Sequence, residues 1–165
     1  MKNFWIIGGA VVGVVALGVL LAVILCRGGV GNSGMVDKPV EKFELSEEMY
    51  DDGELVEITA RDFNELVAEK KSFVVVLHMV ICPAEFPVTN SAKELAHSEG
   101  MVIYSLVEDE FKQIELVREV KYLPSVALIR EGELMDYLDA EADEDLSYYK
   151  TAEGLKEWIG KWVNK

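Results

Sequence analysis

The residues of this chain best suited to chemistry lie in the segment Ile-Cys-Pro-Ala-Glu-Phe-Pro at positions 81–87. Cys82 follows the apolar run 73–80 and precedes a segment with helical periodicity, so its thiol is expected near a helix N-terminus. Free N–H groups and the helix dipole stabilise a thiolate there, and a thiol pKa of about 8.5 can fall to about 7 or lower. Cys82 is therefore a candidate nucleophile, and a buried, inert cysteine is the alternative.

Glu85 and His78 are the other titratable residues close to Cys82 in the sequence. A carboxylate near the sulfur raises the pKa of a thiol, so Glu85 is a candidate modulator of Cys82, although a glutamate in a first helical turn is also ordinary capping chemistry. We expect His78, inside an apolar run, to be packed or hydrogen-bonded. His97 falls near a helix end and is expected to be exposed. Two histidines and one domain cysteine give no zinc spacing, so no metal and no cofactor are expected.

Alternating strands and helices have to position these residues. Apolar and β-branched runs predict strands at 55–58, 73–80 and 101–107, followed by a hairpin of 125–130 with 133–138 around Glu-Gly. Helical periodicity predicts helices at 59–71, 88–100, 108–122 and 151–165. The acidic stretch 139–149 is expected to be a solvated loop. This order predicts an α/β fold, in which a largely parallel sheet has helices on both faces and ends in a hairpin.

Two local patterns support the predicted helices. Thr59 and Asp62 have the spacing of a capping box at the start of the first helix. In the last helix the apolar residues recur at core spacing, which favours burial over a binding surface. These residues are Leu155, Trp158, Ile159, Trp162 and Val163.

The N-terminal segment predicts a transmembrane anchor over residues 1–26. Residues 4–25 are twenty-two consecutive residues without a charge, and at about 1.5 Å per residue such a helix crosses a hydrocarbon core of about 30 Å. A cleaved signal peptide and a lipoprotein signal at Cys26 are the alternatives, but the run is long for the first and Leu25 is large for the second. Gly9 and Gly13 have the G-x-x-x-G spacing that lets two membrane helices pair in a homodimer, although glycine is common in such helices.

Charge separates the anchor from the rest of the chain. Only Lys2 and Arg27 are charged within the first thirty residues, and the remainder carries all thirty Asp and Glu, a net charge of −16. Such an acidic domain is not expected to bind nucleic acid. Residues 27–53, glycine-rich and then acidic, predict a flexible tether to a domain over 54–165. Within the tether, Phe43, Leu45, Met49 and Tyr50 are suited to a short packed turn. We expect that domain on the extracytoplasmic side of the membrane.

The segments around Cys82 and Pro124 resemble the thioredoxin family over roughly residues 55–165. The apolar strand before Cys82, the helix after it, the segment Val-Lys-Tyr-Leu-Pro-Ser-Val-Ala-Leu-Ile-Arg-Glu-Gly-Glu-Leu and the closing Leu-Lys-Glu-Trp-Ile-Gly-Lys-Trp match in order and spacing. The resemblance implies a thioredoxin-like fold, with a central mixed sheet, helices on both faces and a cis peptide bond before Pro124. It also implies that Pro124 positions a bound polypeptide.

The active-site pattern departs from that of the family, which carries W-C-G-P-C. With Cys82 as the first cysteine, Ile81 replaces the tryptophan, Glu85 replaces the second cysteine and Val76 replaces the buried acid. In a second register Cys82 is the second cysteine and Met79 replaces the first. Either register leaves one thiol, so a dithiol–disulfide cycle within the domain is not expected.

The segment Val-Ile-Cys-Pro-Ala-Glu also resembles the peroxiredoxin signature around its peroxide-attacking cysteine. That family has a hydroxyl residue three positions before the cysteine and a proline seven positions before it. Met79 and Val75 stand at these positions, which argues against peroxidase activity.

Two functions from different classes remain. One is monothiol thiol–disulfide exchange with protein thiols through Cys82, resolved by an outside thiol. The other is a membrane-tethered, non-catalytic module that binds an extended polypeptide or a partner subunit beside Pro124.

Overall fold

The computed structural model describes residues 41–50, 53–80, 88–139 and 141–164. The chain divides into two units, Met1–Lys38 and Pro39–Lys165, and the account below concerns the second. The predicted anchor with Gly9, Gly13 and Cys26 lies outside the described residues, as do Cys82 and Glu85.

The described part of the domain contains five strands and five helices, which alternate as far as β4. The strands are β1 Leu55–Glu57, β2 Phe73–His78, β3 Ile103–Val107, β4 Ser125–Arg130 and β5 Glu133–Leu138. The helices are α1 Ala60–Ala68, α2 Val88–Glu99, α3 Glu108–Phe111, α4 Leu146–Tyr149 and α5 Ala152–Ile159. Two 3-10 turns, Glu47–Met49 and Glu115–Arg118, complete the set.

The strands form one mixed sheet in the order β1-β3-β2-β4-β5. β3 is parallel to both β1 and β2, whereas β4 is antiparallel to β2 and β5 is antiparallel to β4. The first crossover, through α1, and the second, through α2, therefore run in opposite directions along the sheet. Right-handed crossovers then place these helices on opposite faces. The predicted α/β architecture is confirmed.

The centre of the sheet is β2, whose residues Phe73–Leu77 are fully buried because both neighbouring strands and both helical layers cover it. The ring of Phe73 contacts Phe63 of α1 and Tyr104 of β3 edge-on, with centroids 5.6 Å away in each case. Side chains alternate along a strand, so Val76 and His78 lie on the opposite face, toward α2. On that face α2 packs against α5.

Local sequence signals explain several of the element boundaries. Thr59 and Asp62 form the predicted capping box at the start of α1. Gly100, with φ +62°, ends α2, and Glu131 and Gly132, both with positive φ, form the hairpin turn between β4 and β5. The last helix buries Leu155, Trp158 and Ile159, and Trp162 and Val163 pack partly against the core, as predicted.

The helix predicted over 108–122 is wrong beyond its first turn. α3 ends at Phe111, and the chain continues through turns and the 3-10 turn Glu115–Arg118. The buried residues here are Phe111, Ile114, Leu116 and Val120. Their spacing fits no single helical face, so burying them all against the domain favours turns over a continuous helix.

The stretch 139–149, predicted to be a solvated loop, ends in the short helix α4, and Tyr149 of this helix is buried.

The flexible tether predicted over 27–53 is too long at its C-terminal end. Phe43, Leu45 and Met49 are buried in the same core, and Phe43 forms a parallel bridge with Val163. The domain therefore begins before residue 54, because these apolar side chains pack against residues distant in the sequence.

Candidate functional site

The candidate site lies where β2 ends and β4 begins. These strands are antiparallel, and Leu77 pairs with Ser125, so the C-terminal end of β2 and the N-terminal end of β4 meet at one edge of the sheet. Pro124 directly precedes Ser125, is half-buried, and follows a cis peptide bond from Leu123. The sheet order thus brings Pro124 next to the end of β2, which the sequence pattern alone did not specify.

Apolar side chains are exposed at this edge. Val80, two residues beyond the end of β2, is 80% exposed, and Tyr122, three residues before β4, is 47% exposed. Leu123, between Tyr122 and Pro124, packs partly against the core. Val80 and Tyr122 therefore present apolar side chains to solvent where β2 ends and β4 begins. Val80, Tyr122 and Pro124, which all lie at this edge, are together called the proline edge below.

His78 is the last residue of β2 and is half-buried. Its Nδ1 lies 3.2 Å from the carbonyl oxygen of Met79. A carbonyl oxygen only accepts, so in this bond Nδ1 carries the proton, and in a neutral ring Nε2 is left as an acceptor. The prediction of a hydrogen-bonded histidine is confirmed. His97 is exposed, also as predicted.

A crevice of about 480 Å³ adjoins the end of β2 on the face covered by α2. Polar and charged groups line much of it: Glu57, His78, Thr89, Lys93 and Ser105. The crevice lies near the carboxyl ends of parallel strands. The connections that follow these strands leave toward opposite faces of the sheet. Ligand sites in open α/β sheets usually lie at such a position. Sequence reasoning did not group these residues, because strand pairing and helix packing bring them together.

Val76, which the sequence resemblance aligns with a buried acid, has a side chain that is fully buried in the core. No carboxylate therefore lies at that position behind the end of β2. Within the described residues no group of His, Cys, Asp and Glu has the geometry to hold a metal ion. Cys82 and Glu85, the predicted nucleophile and its modulator, belong to the segment 81–87 outside the described residues.

Ser125 is a residue that sequence reasoning missed. It is fully buried, and its Oγ donates to the carbonyl oxygen of Leu138 at 2.8 Å. Tyr149 Oη donates to the same carbonyl oxygen at 2.6 Å. The only sequence signal for this contact is the pair Tyr148 and Tyr149 at the end of the acidic stretch 139–149.

Comparison with known proteins identifies the class of fold. No protein-family profile and no curated protein sequence matches the chain. Solved structures do match: oxidised thioredoxin from Plasmodium falciparum aligns with 67% of this chain and 99% of its own, at 15% identity and a TM-score of 0.50. The J-Trx1 fragment of ERdj5 aligns with 67% of this chain and 52% of its own, at 18% identity and a TM-score of 0.50. The domain therefore has the thioredoxin fold.

The anchor prediction concerns a different part of the chain. Across the described ranges 41–50, 53–80, 88–139 and 141–164, no helix combines the length and the apolar character that a membrane span needs. The predicted span over residues 4–25 lies outside these ranges.

Proposed function

We propose that the domain carries out monothiol thiol–disulfide exchange with protein partners, with Cys82 as the nucleophile and the proline edge as the surface that receives the partner polypeptide. The observation that carries this proposal is the pairing of Leu77 with Ser125. Because of this pairing, Pro124 and exposed apolar side chains lie at the end of β2. Cys82, the only cysteine in the sequence beyond residue 26, follows the end of β2 by four residues.

The reaction exchanges one disulfide for another. The Cys82 thiolate attacks a sulfur of a partner disulfide, a Cys82–partner disulfide forms, and the second partner sulfur leaves as a thiolate. An outside thiol, as its thiolate, then attacks the partner's sulfur in this mixed disulfide and releases Cys82. No net oxidation occurs at the domain, so one cysteine is sufficient.

A second function, a non-catalytic module that binds an extended polypeptide or a partner subunit, is favoured by a separate observation. Val80 and Tyr122 expose apolar surface at the proline edge whether or not a thiol reacts there. Val76 leaves no buried acid to assist proton transfer at its position. In either function, we propose that residues 4–25 anchor the chain in a membrane, with the domain on the extracytoplasmic side. Gly9 and Gly13 are the proposed contact of a homodimer.

The test is the pH dependence of Cys82 alkylation in the full chain carrying Cys26→Ser, which leaves a single thiol. For exchange chemistry we expect fast labelling and a thiol pKa well below about 8, because the thiolate is the form that attacks a disulfide. Iodoacetamide labelling followed by intact-mass measurement gives the rate at each pH.

One variant and one reference measurement sharpen the result. Glu85→Gln is expected to lower the thiol pKa further, because it removes a neighbouring negative charge. Unfolding the protein in denaturant gives the unperturbed rate as a reference. Slow labelling with a raised pKa in the folded protein would reject the exchange function and leave the binding module.

A further inference from the structure

A chain of buried hydrogen bonds starts at Ser125 and ends in α2, and the proposed function leaves it unexplained. The carbonyl oxygen of Leu138, at the end of β5, accepts from Ser125 Oγ at 2.8 Å and from Tyr149 Oη at 2.6 Å. The carbonyl oxygen of Tyr149 accepts from Ser91 Oγ at 3.1 Å. All four residues are buried. They are called the Tyr149 relay below.

The relay joins the two segments that flank the candidate site. Ser125 directly follows Pro124 at the start of β4. Ser91 lies in the first turn of α2, the helix that the chain enters after residues 81–87. β4 and α2 thus share a buried polar connection that runs through Tyr149, a residue of the short helix α4. Buried hydrogen bonds of this kind fix the relative position of the elements they join.

The surroundings of Tyr149 favour the protonated form of its hydroxyl. Burial is the main cause that raises the pKa of its hydroxyl far above the ordinary value of 10.0, the charges of Asp145 and Asp139 add to the rise, and the Ser125 hydroxyl opposes it. The hydroxyl is therefore protonated at neutral pH and well above it, where it donates to the Leu138 carbonyl oxygen.

α4 is also in contact with α5 and with Lys161, which follows α5. A Cβ at Gly154 of α5 would lie 2.8 Å from the carbonyl oxygen of Ser147, so α4 and α5 are in close contact. On the surface Lys161 Nζ donates to Tyr148 Oη at 2.6 Å and lies 4.2 Å from the centroid of the same ring. Tyr149 therefore extends into the core from a helix that packs against α5.

We propose that Tyr149 is a positioning residue for polypeptide recognition at the proline edge. Through the Leu138 carbonyl and Ser125 it holds the start of β4 in one position relative to α2, so that Pro124 meets the bound polypeptide in one geometry. This inference rests on the proposed function, because it requires that a polypeptide binds along Pro124.

The test compares Tyr149→Phe with the matched control Tyr104→Phe, both in the full chain carrying Cys26→Ser. Tyr104 is a half-buried tyrosine of β3 whose ring packs on Phe73 and which takes no part in the relay. Each protein reacts with a peptide whose cysteine carries a 2-thiopyridyl group and, separately, with 2,2′-dithiodipyridine. In both reactions the Cys82 thiolate forms a new disulfide and pyridine-2-thione leaves, so absorbance reports the rate.

Tyr149→Phe is expected to lower the second-order rate constant for the peptide roughly threefold to tenfold, the effect of one lost hydrogen bond. The rate with the small disulfide is expected to stay within about twofold of the parent rate. This reagent does not contact the proline edge, so its reaction does not depend on the position of Pro124. Amide hydrogen exchange at residues 123–128 is expected to become faster in Tyr149→Phe and to stay unchanged in Tyr104→Phe.

An unchanged peptide rate or unchanged exchange at residues 123–128 in Tyr149→Phe overturns the inference and leaves the proposed function intact. A parent protein that reacts no faster with the peptide than with the small disulfide overturns the proposed function, and the positioning role with it. If Tyr149→Phe does not fold, Ser91→Ala removes only the α2 end of the relay. It is expected to change the peptide rate in the same direction, and an unchanged rate would count against the inference.

Discussion

Asp136 is a half-buried carboxylate in the middle of β5. Burial is the main cause that raises its pKa above the ordinary 3.8, and the charge of Asp145 adds to the rise. The backbone N–H of Tyr137 and the indoles of Trp162 and Trp158 oppose it. A raised pKa means that the folded protein binds this proton more tightly than the unfolded chain does, so stability rises as the pH falls through the folded-state pKa.

Asp136→Asn is therefore expected to raise the melting temperature at pH 7, because it removes a charge that burial disfavours. The advantage should shrink as the pH falls toward 3.8, where the wild-type carboxyl becomes protonated. Thermal unfolding, followed by circular dichroism in steps of about one pH unit between pH 3.5 and 7.5, measures this difference in melting temperature. The matched control is Asp143→Asn at an exposed position. A variant less stable than wild type at every pH would show that the indole contacts outweigh the cost of burial.

At the scale of elements, the hairpin of β4 and β5 packs its tip against the end of α1. Gly132 has φ +81°, and its N–H donates to the carbonyl oxygen of Lys71 at 2.9 Å. A Cβ at this position would lie 2.5 Å from the carbonyl oxygen of Val67. Backbone conformation and close packing both require glycine at position 132. The same glycine that forms the hairpin turn therefore also allows the turn to contact α1.

Gly132→Ala is expected to destabilise the domain by about 2–4 kcal/mol, since left-handed strain and overpacking add. Chemical denaturation at equilibrium measures the loss. The control is Gly160→Ala at the end of α5, where φ is −64° and alanine is compatible with the backbone. Its effect is expected to stay within about 1 kcal/mol. Equal effects at the two glycines would contradict the packing argument.

At the scale of the whole domain, the segment 41–50 completes the core. Met49 is fully buried, and Ser46 and Ser72 exchange two hydrogen bonds: Ser46 N–H donates to the Ser72 carbonyl, and Ser72 N–H donates to Ser46 Oγ, each at 2.8 Å. The ring of Phe43 lies 5.6 Å from the Arg130 guanidinium carbon. The domain therefore depends on residues that composition alone assigned to a tether.

Met49→Ala is expected to cost about 2–5 kcal/mol, because it leaves a cavity in the core. Glu47→Ala, an exposed change in the same 3-10 turn, is the matched control and should cost less than about 0.5 kcal/mol. A chain shortened to begin at residue 54 loses Phe43, Leu45 and Met49 together and is expected not to fold. Circular dichroism of the shortened chain checks this, and a cooperative transition like that of the full chain would contradict it.

The sequence by itself determined the type and order of most elements. Continuous β-branched residues identified β2, the Thr59–Asp62 box located the start of α1, and Glu-Gly marked the hairpin turn, because each signal is local and depends on neighbouring residues. The same local reasoning failed at 108–122 and at 139–149, where buried side chains meet partners far away in the chain.

Only the tertiary structure decided which of these elements meet. Strand order places Pro124 beside the end of β2, and it groups Glu57, His78 and Lys93 around one crevice. Packing of α4 brings Tyr149 to the Leu138 carbonyl. These contacts join residues that no short window of sequence contains. Their free energy comes from burial and from satisfying polar groups away from water, both of which depend on the folded domain.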